Sequence, residues 1–178
     1  SDLAGPQAKE GEGTTSEAER NRIKRLISRA GTLEFRILAS NRYDRAIIQE
    51  AEADPNKSTV EGPDGNVIAR WVTVAPKEGM KLGADAMRTT ESGVQTLVMI
   101  DPYNVTGSYL TQAKQGVDTE SGQIDVDFKF NAQGGSLFGR LTGDNLPQDN
   151  YERRLAIILD GEIYSAPSIK SRISDQGK

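Results

Sequence analysis

Five consecutive apolar residues, Leu155-Ala156-Ile157-Ile158-Leu159, run directly into Asp160-Gly161 and then into Glu162-Ile163-Tyr164-Ser165-Ala166-Pro167. A short run rich in Ile with no polar alternation predicts a central strand covered on both faces. Asp-Gly is preferred in two-residue hairpin turns, whose backbone needs positive φ, so it sends residues 163–166 back alongside the run. Pro167 limits the returning strand, because it has no N–H for a ladder, and it leaves neighbouring backbone groups partly unpaired. A chain with this hairpin must supply a sheet and the material to cover it.

The remaining sequence supplies both. Leu33, Phe35 and Ile37 alternate with Thr32, Glu34 and Arg36, and Ile124, Val126, Phe128 and Phe130 alternate with Asp125, Asp127 and Lys129, the period of half-buried strands. Residues 67–74, around Trp71, leave the turn Pro63-Asp64-Gly65-Asn66 as a strand, and residues 94–100 form a second apolar run closed by Asp101-Pro102. Ser16 and Glu19 make a capping box ahead of Ile23, Leu26, Ile27 and Ala30, which predicts an amphipathic helix over residues 17–30. Ala46, Ile47 and Ala51 predict a helix over residues 44–53, ended by Asp54-Pro55. Ser108 can cap a short helix through Lys114 that buries Leu110 and Ala113. Asn131 can cap another that turns Leu137, Phe138 and Leu141 inward, with Gly134, Gly135 and Gly139 permitting close approach to a sheet and Gly143 ending it. Residues 79–93 hold three Gly and little periodicity, so an irregular loop is expected there. Together these elements predict one α+β domain over residues 17–178, a mixed or antiparallel sheet with helices mainly on one face, after a flexible tail over residues 1–16. No internal repeat is visible.

Composition removes most covalent chemistry. The 178 residues include no His and no Cys, so there is no Ser-His-Asp or Cys-His nucleophile, no thiolate redox pair and no zinc site of the usual ligands. Ser136, in Gly134-Gly135-Ser136-Leu137-Phe138, misses the nucleophile elbow because Phe138 stands where the last Gly should be. No Walker loop is present. Asp125 and Asp127 share one strand face, with Asp118 close before them, which admits a metal-dependent hydrolase as one reading. A calcium loop starting at Asp118, however, would have Gln123 in place of its Gly and Lys129 in place of its Glu. Outward carboxylates that keep a half-exposed strand soluble account for these residues more simply. With 22 Lys and Arg against 26 Asp and Glu, the net charge of -4 argues against a nucleic-acid partner. The longest apolar run, Leu155–Leu159, is far short of the roughly 20 residues that cross a bilayer.

Residues 155–167 closely resemble the hairpin that marks the SecD family, membrane-anchored accessory subunits of the bacterial Sec protein translocase. Val105-Thr106-Gly107, with Leu110 and Ala113, is similar to the stretch that opens this region in the family. Residues 126–142 are similar to its strand followed by an N-x-x-G helix, and Leu33-Glu34-Phe35-Arg36 to its first strand. Residues 41–93 match no general SecD pattern and are expected to be a lineage-specific elaboration. The resemblance implies part of the first extracytoplasmic domain, in its head region, on the periplasmic face of the inner membrane and anchored by transmembrane helices outside this sequence.

It further implies a non-catalytic module without metal or cofactor that contacts unfolded preprotein emerging from the Sec channel. Such a module assists proton-motive-force-driven translocation beside a SecF-type partner. Asp160, Gly161, Ala166 and Pro167 are then structural motif positions. Preprotein contact is expected beside the returning strand, at Ile163, Tyr164 and Ile169. Two other classes remain open at this point: the metal-dependent hydrolase using Asp118, Asp125 and Asp127, and a generic scaffold or oligomerisation module.

Overall fold

The computed structural model describes residues 33–76, 82–117, 124–173 and 176–177. The helix expected over residues 17–30 and the tail before it lie outside the described residues. In chain order the described elements are β1 (Leu33–Leu38), α1 (Arg45–Ala53), β2 (Thr59–Glu61), β3 (Val67–Val74), β4 (Met87–Thr90) and β5 (Gly93–Met99). A 3-10 turn (Gly107–Tyr109) follows, then β6 (Leu110–Val117), β7 (Ile124–Phe130), α2 (Ala132–Gly143), β8 (Leu155–Leu159), β9 (Glu162–Ser165) and β10 (Gln176–Gly177).

The larger sheet closes on itself. β1 pairs with β8, β8 with β9, β9 with β3, β3 with β5, and β5 returns to β1; within this circuit only β3 and β9 run parallel. β2 and β4 extend it beside β3 and β5. Closure gives the ring an inner and an outer face. Each of its five strands sends a buried residue into one shared cluster: Leu38, Val72, Val98, Ile158 and Ile163, with Ala156 and Ala166. This inner cluster is capped by Leu82 from the segment ahead of β4.

The helices lie on the outside. α1 packs Ile48 and Ala51 against Ala69, Trp71 and Leu97 of β3 and β5. α2 and the β6–β7 ribbon cover β1 and β8, where Phe35 meets the rings of Phe128, Phe130 and Phe138 at 5.2, 5.5 and 5.4 Å. Burial of each such aliphatic or aromatic side chain contributes about 1.5–3 kcal/mol. α2 begins as its sequence requires, since Asn131 Oδ1 accepts from the Gly134 N–H at 2.8 Å. Gly134 itself admits no side chain, because an added Cβ would stand 2.4 Å from the Tyr109 Cβ.

Two sequence expectations are corrected. Residues 108–114 are not a helix: after the 3-10 turn they enter β6. A β-bulge between Leu110 and Gln112 inserts one extra residue, so Leu110 opposite Phe130 and Ala113 opposite Phe128 share a face despite a spacing of three. That bulge mimics helical periodicity. Residues 79–93 are not wholly irregular either, because β4 occupies Met87–Thr90 and pairs with β5 through a two-residue turn at Glu91 and Ser92. An edge strand needs no alternating apolar residues, so Met87-Arg88-Thr89-Thr90 carries no sequence period to find.

Candidate functional site

The hairpin that opened the sequence reading is architectural. Asp160 and Gly161 hold φ of 52° and 78°, the paired left-handed residues of the expected tight turn. Ile163 lies in the inner cluster and Ile169 in the outer one beneath α2, both buried, while Tyr164 is half-buried against the same outer cluster. The backbone around Pro167 is also used: the Leu155 N–H donates to its carbonyl at 2.9 Å, and Ile169 N–H donates to Arg153 O at 2.8 Å. β9 has β8 on one side and, at Glu162 and Ile163, β3 on the other, so among the described residues Ile163 faces no open edge.

Arg36, on β1, is almost wholly buried and is held by three oxygens. Its Nη1 donates to Asp101 Oδ2 at 3.3 Å, and its Nη2 donates to Glu34 Oε1 at 3.2 Å and to Asn104 Oδ1 at 2.6 Å. Arg70 of β3 grips the other Glu34 oxygen. Burial pushes the Glu34 carboxyl up, but the hydrogen bond and charge of Arg70, followed by those of Arg36, outweigh it and hold the carboxyl below its ordinary value of 4.5. A carboxyl depressed in the folded state contributes stability above its unfolded value and loses it as pH falls through the folded one. Thermal melts should therefore separate wild type from Glu34→Gln at neutral pH and bring them together as pH drops below 4.5. A constant gap across that range would contradict the assignment.

A cleft of about 630 Å3 opens between the end of β3 and the β4–β5 hairpin, lined by Val74, Leu82, Met87, Val94, Thr73 and Glu162. Met87 and Val94 are 46% and 40% exposed, two of the five large apolar side chains most open to solvent among the described residues. Leu82 and Val74 continue the cleft into the inner cluster. The sequence does not announce this feature, because residues 79–93 carry no period; the cue is Leu82, Ala84, Ala86 and Met87 close ahead of the 94–100 run. Of the carboxylates considered for a metal, Asp118 and the side chain of Asp125 lie outside the described residues. Among the described residues no cluster of three or more acidic side chains is placed to hold a cation. Also among the described residues, no helix is long and apolar enough to cross a membrane.

A closed mixed sheet with external helices, a buried arginine network and an apolar cleft at its rim defines a small α+β module. Residues 84–178, more than half of the chain, match the model of the SecDF P1 head subdomain, and the chain belongs to that family. It is 33% identical to protein translocase subunit SecD of Elusimicrobium minutum, over 86% of this chain and 29% of that protein. It is 30% identical to SecD of Endomicrobium trichonymphae, over 85% and 29%. The chain thus spans less than a third of these relatives. A solved structure described as a membrane component SecDF that enhances protein export aligns over 90% of this chain and 59% of that one, at 23% identity and a TM-score of 0.42.

Proposed function

We propose that this domain serves protein export by contacting preprotein as it emerges from the Sec channel. It acts by adhesion, without covalent chemistry, on the periplasmic face of the bacterial inner membrane. In the intact subunit, beside a SecF-type partner, membrane helices would couple its movement to the proton-motive force. The observation that carries this reading is the exposed apolar cleft beside Met87 and Val94 in a chain of the SecDF P1 head family. A handler of many unfolded sequences needs weak apolar contact and available backbone groups, and it needs no nucleophile. Of the three contact residues expected from sequence, Tyr164 is the one near enough to the surface to contribute.

The test uses the full-length subunit in the intact translocase. Photocrosslinking residues at exposed positions Tyr43, Val67, Met87 and Leu146, and at Tyr164, should capture a chain arrested in mid-export at one or more sites, and should capture none when the channel is idle. Silence at every position would overturn the proposal.

A further inference from the structure

We infer that the outer edge of β4 accepts an extended polypeptide segment as an added strand, and that the segment carries apolar residues at alternate positions with a Lys or Arg beside them. This rests on the reading that the domain meets unfolded chains, and it specifies where and in what form. The register supplies the first argument. Leu97 N–H donates to Ala86 O, which marks that pair as hydrogen-bonded across the ladder; alternation then turns Arg88 and Thr90 toward β5 and leaves the N–H and C=O groups of Met87 and Thr89 facing outward. Among the described residues no strand pairs with them, since β4 ends its sheet.

The second argument is a contrast between edges. β2, the opposite edge, is three residues long, bears a register break at Val60/Glu61 and ends in a charge, the features that deter strand addition. β4, one residue longer, has no register break and no charge at its end. Its one charge, Arg88, is turned to the other face, stacked 4.5 Å over the Trp71 ring and donating to the carbonyls of Pro55 and Lys57.

The cleft and its charge supply the third argument. A strand added beside Met87 and Thr89 would lay alternate side chains toward the same face as Met87 and Val94, where Val74 and Leu82 continue the apolar wall. Glu162 stands in that wall exposed, and its carboxylate has no partner among the described residues. Glu91, in the turn that joins β4 to β5, is also acidic and exposed. An apolar segment with a neighbouring cation matches this pattern, whereas an acidic segment does not.

The experiment places a photocrosslinking residue at Met87 of the full-length subunit and arrests an exporting chain whose segment carries either Lys or Glu beside its apolar residues. The Lys form should be captured more than the Glu form, and Glu162→Lys should reverse that order. Thr89→Pro removes one outward N–H and leaves the ladder to β5 intact, so it should lower capture about tenfold. Indifference of capture to both Glu162→Lys and Thr89→Pro would overturn the inference, as would capture of a second copy of the subunit in place of the exporting chain. Should Val67 or Leu146 probes capture the chain while Met87 does not, strand addition at β4 falls and the broader export reading stands. Silence from all three, and from Tyr43 and Tyr164 as well, overturns both.

Discussion

Replacing Phe35 with Ala should destabilise the domain by about 3–5 kcal/mol, enough to unfold much of the population at moderate temperature. Phe35 is fully buried and makes edge-on contacts with Phe128, Phe130 and Phe138, so one side chain ties β1 to both β7 and α2. Its removal takes away the transfer free energy of a large ring and leaves a void that three aromatic neighbours on two separate elements cannot collapse to fill. Each edge-to-face pair adds about 0.5–1.5 kcal/mol beyond area burial. Urea denaturation followed by circular dichroism is the measurement. A midpoint close to wild type would show that the β6–β7 ribbon and α2 do not depend on β1 for their seat.

Asp44→Ala should cost about 3 kcal/mol or more, an effect out of proportion to the few atoms removed. The Asp44 carboxylate accepts from the Ser40 N–H at 2.9 Å and binds the Arg153 guanidinium, and both side chains of that pair are largely buried. Without Asp44 the Arg153 charge remains below the surface with Leu38 O, at 3.3 Å, as its remaining acceptor and with Nε already unpartnered. An uncompensated buried charge is the expensive outcome, so Arg153→Leu in the same background should recover part of the loss. Equal stability of the single and double variants would mean that Asp44 acts mainly through the Ser40 turn. Asp44 also accepts no side-chain capping duty for α1, which leaves the ion pair as its principal role.

How much of this could be seen in the residues follows a physical division. β1, β3, β5, β7, β8 and both described helices were legible because each buries one side or both, and burial writes a period into the sequence. The hairpin turn was legible because Asp160-Gly161 must adopt positive φ. β6 was hidden by its bulge, which converted a two-residue period into a spacing of three. β4 was hidden because no described strand pairs with its outer edge, and with it went the cleft. Closure of the sheet was also unreadable, since register between β9 and β3 is fixed by Thr73 meeting Glu162 and Val74 meeting Ile163, a pairing no local pattern announces. The resemblance of residues 155–167 reached the family; of the contact residues expected beside the returning strand, Ile163 and Ile169 are buried in the two clusters.

The circuit of strands has a consequence for how the molecule acquires its shape. Leu33 meets Leu159 and Ile37 meets Leu155, so the five-pair ladder along one side of β1 waits for the latest hairpin, while β5 offers the strand partners only at Ile37 and Leu38. Sequence-distant pairing of this kind pays loop-closure entropy before any reward arrives, and such topologies fold slowly. A ribosome or export channel delivering the chain from its N-terminus would release β1 long before β8 exists, with an apolar face uncovered in the interval. The domain that is proposed to attend other unfolded polypeptides must therefore pass through the same exposed condition itself, and its own maturation is gated by the moment residues 155–165 become free.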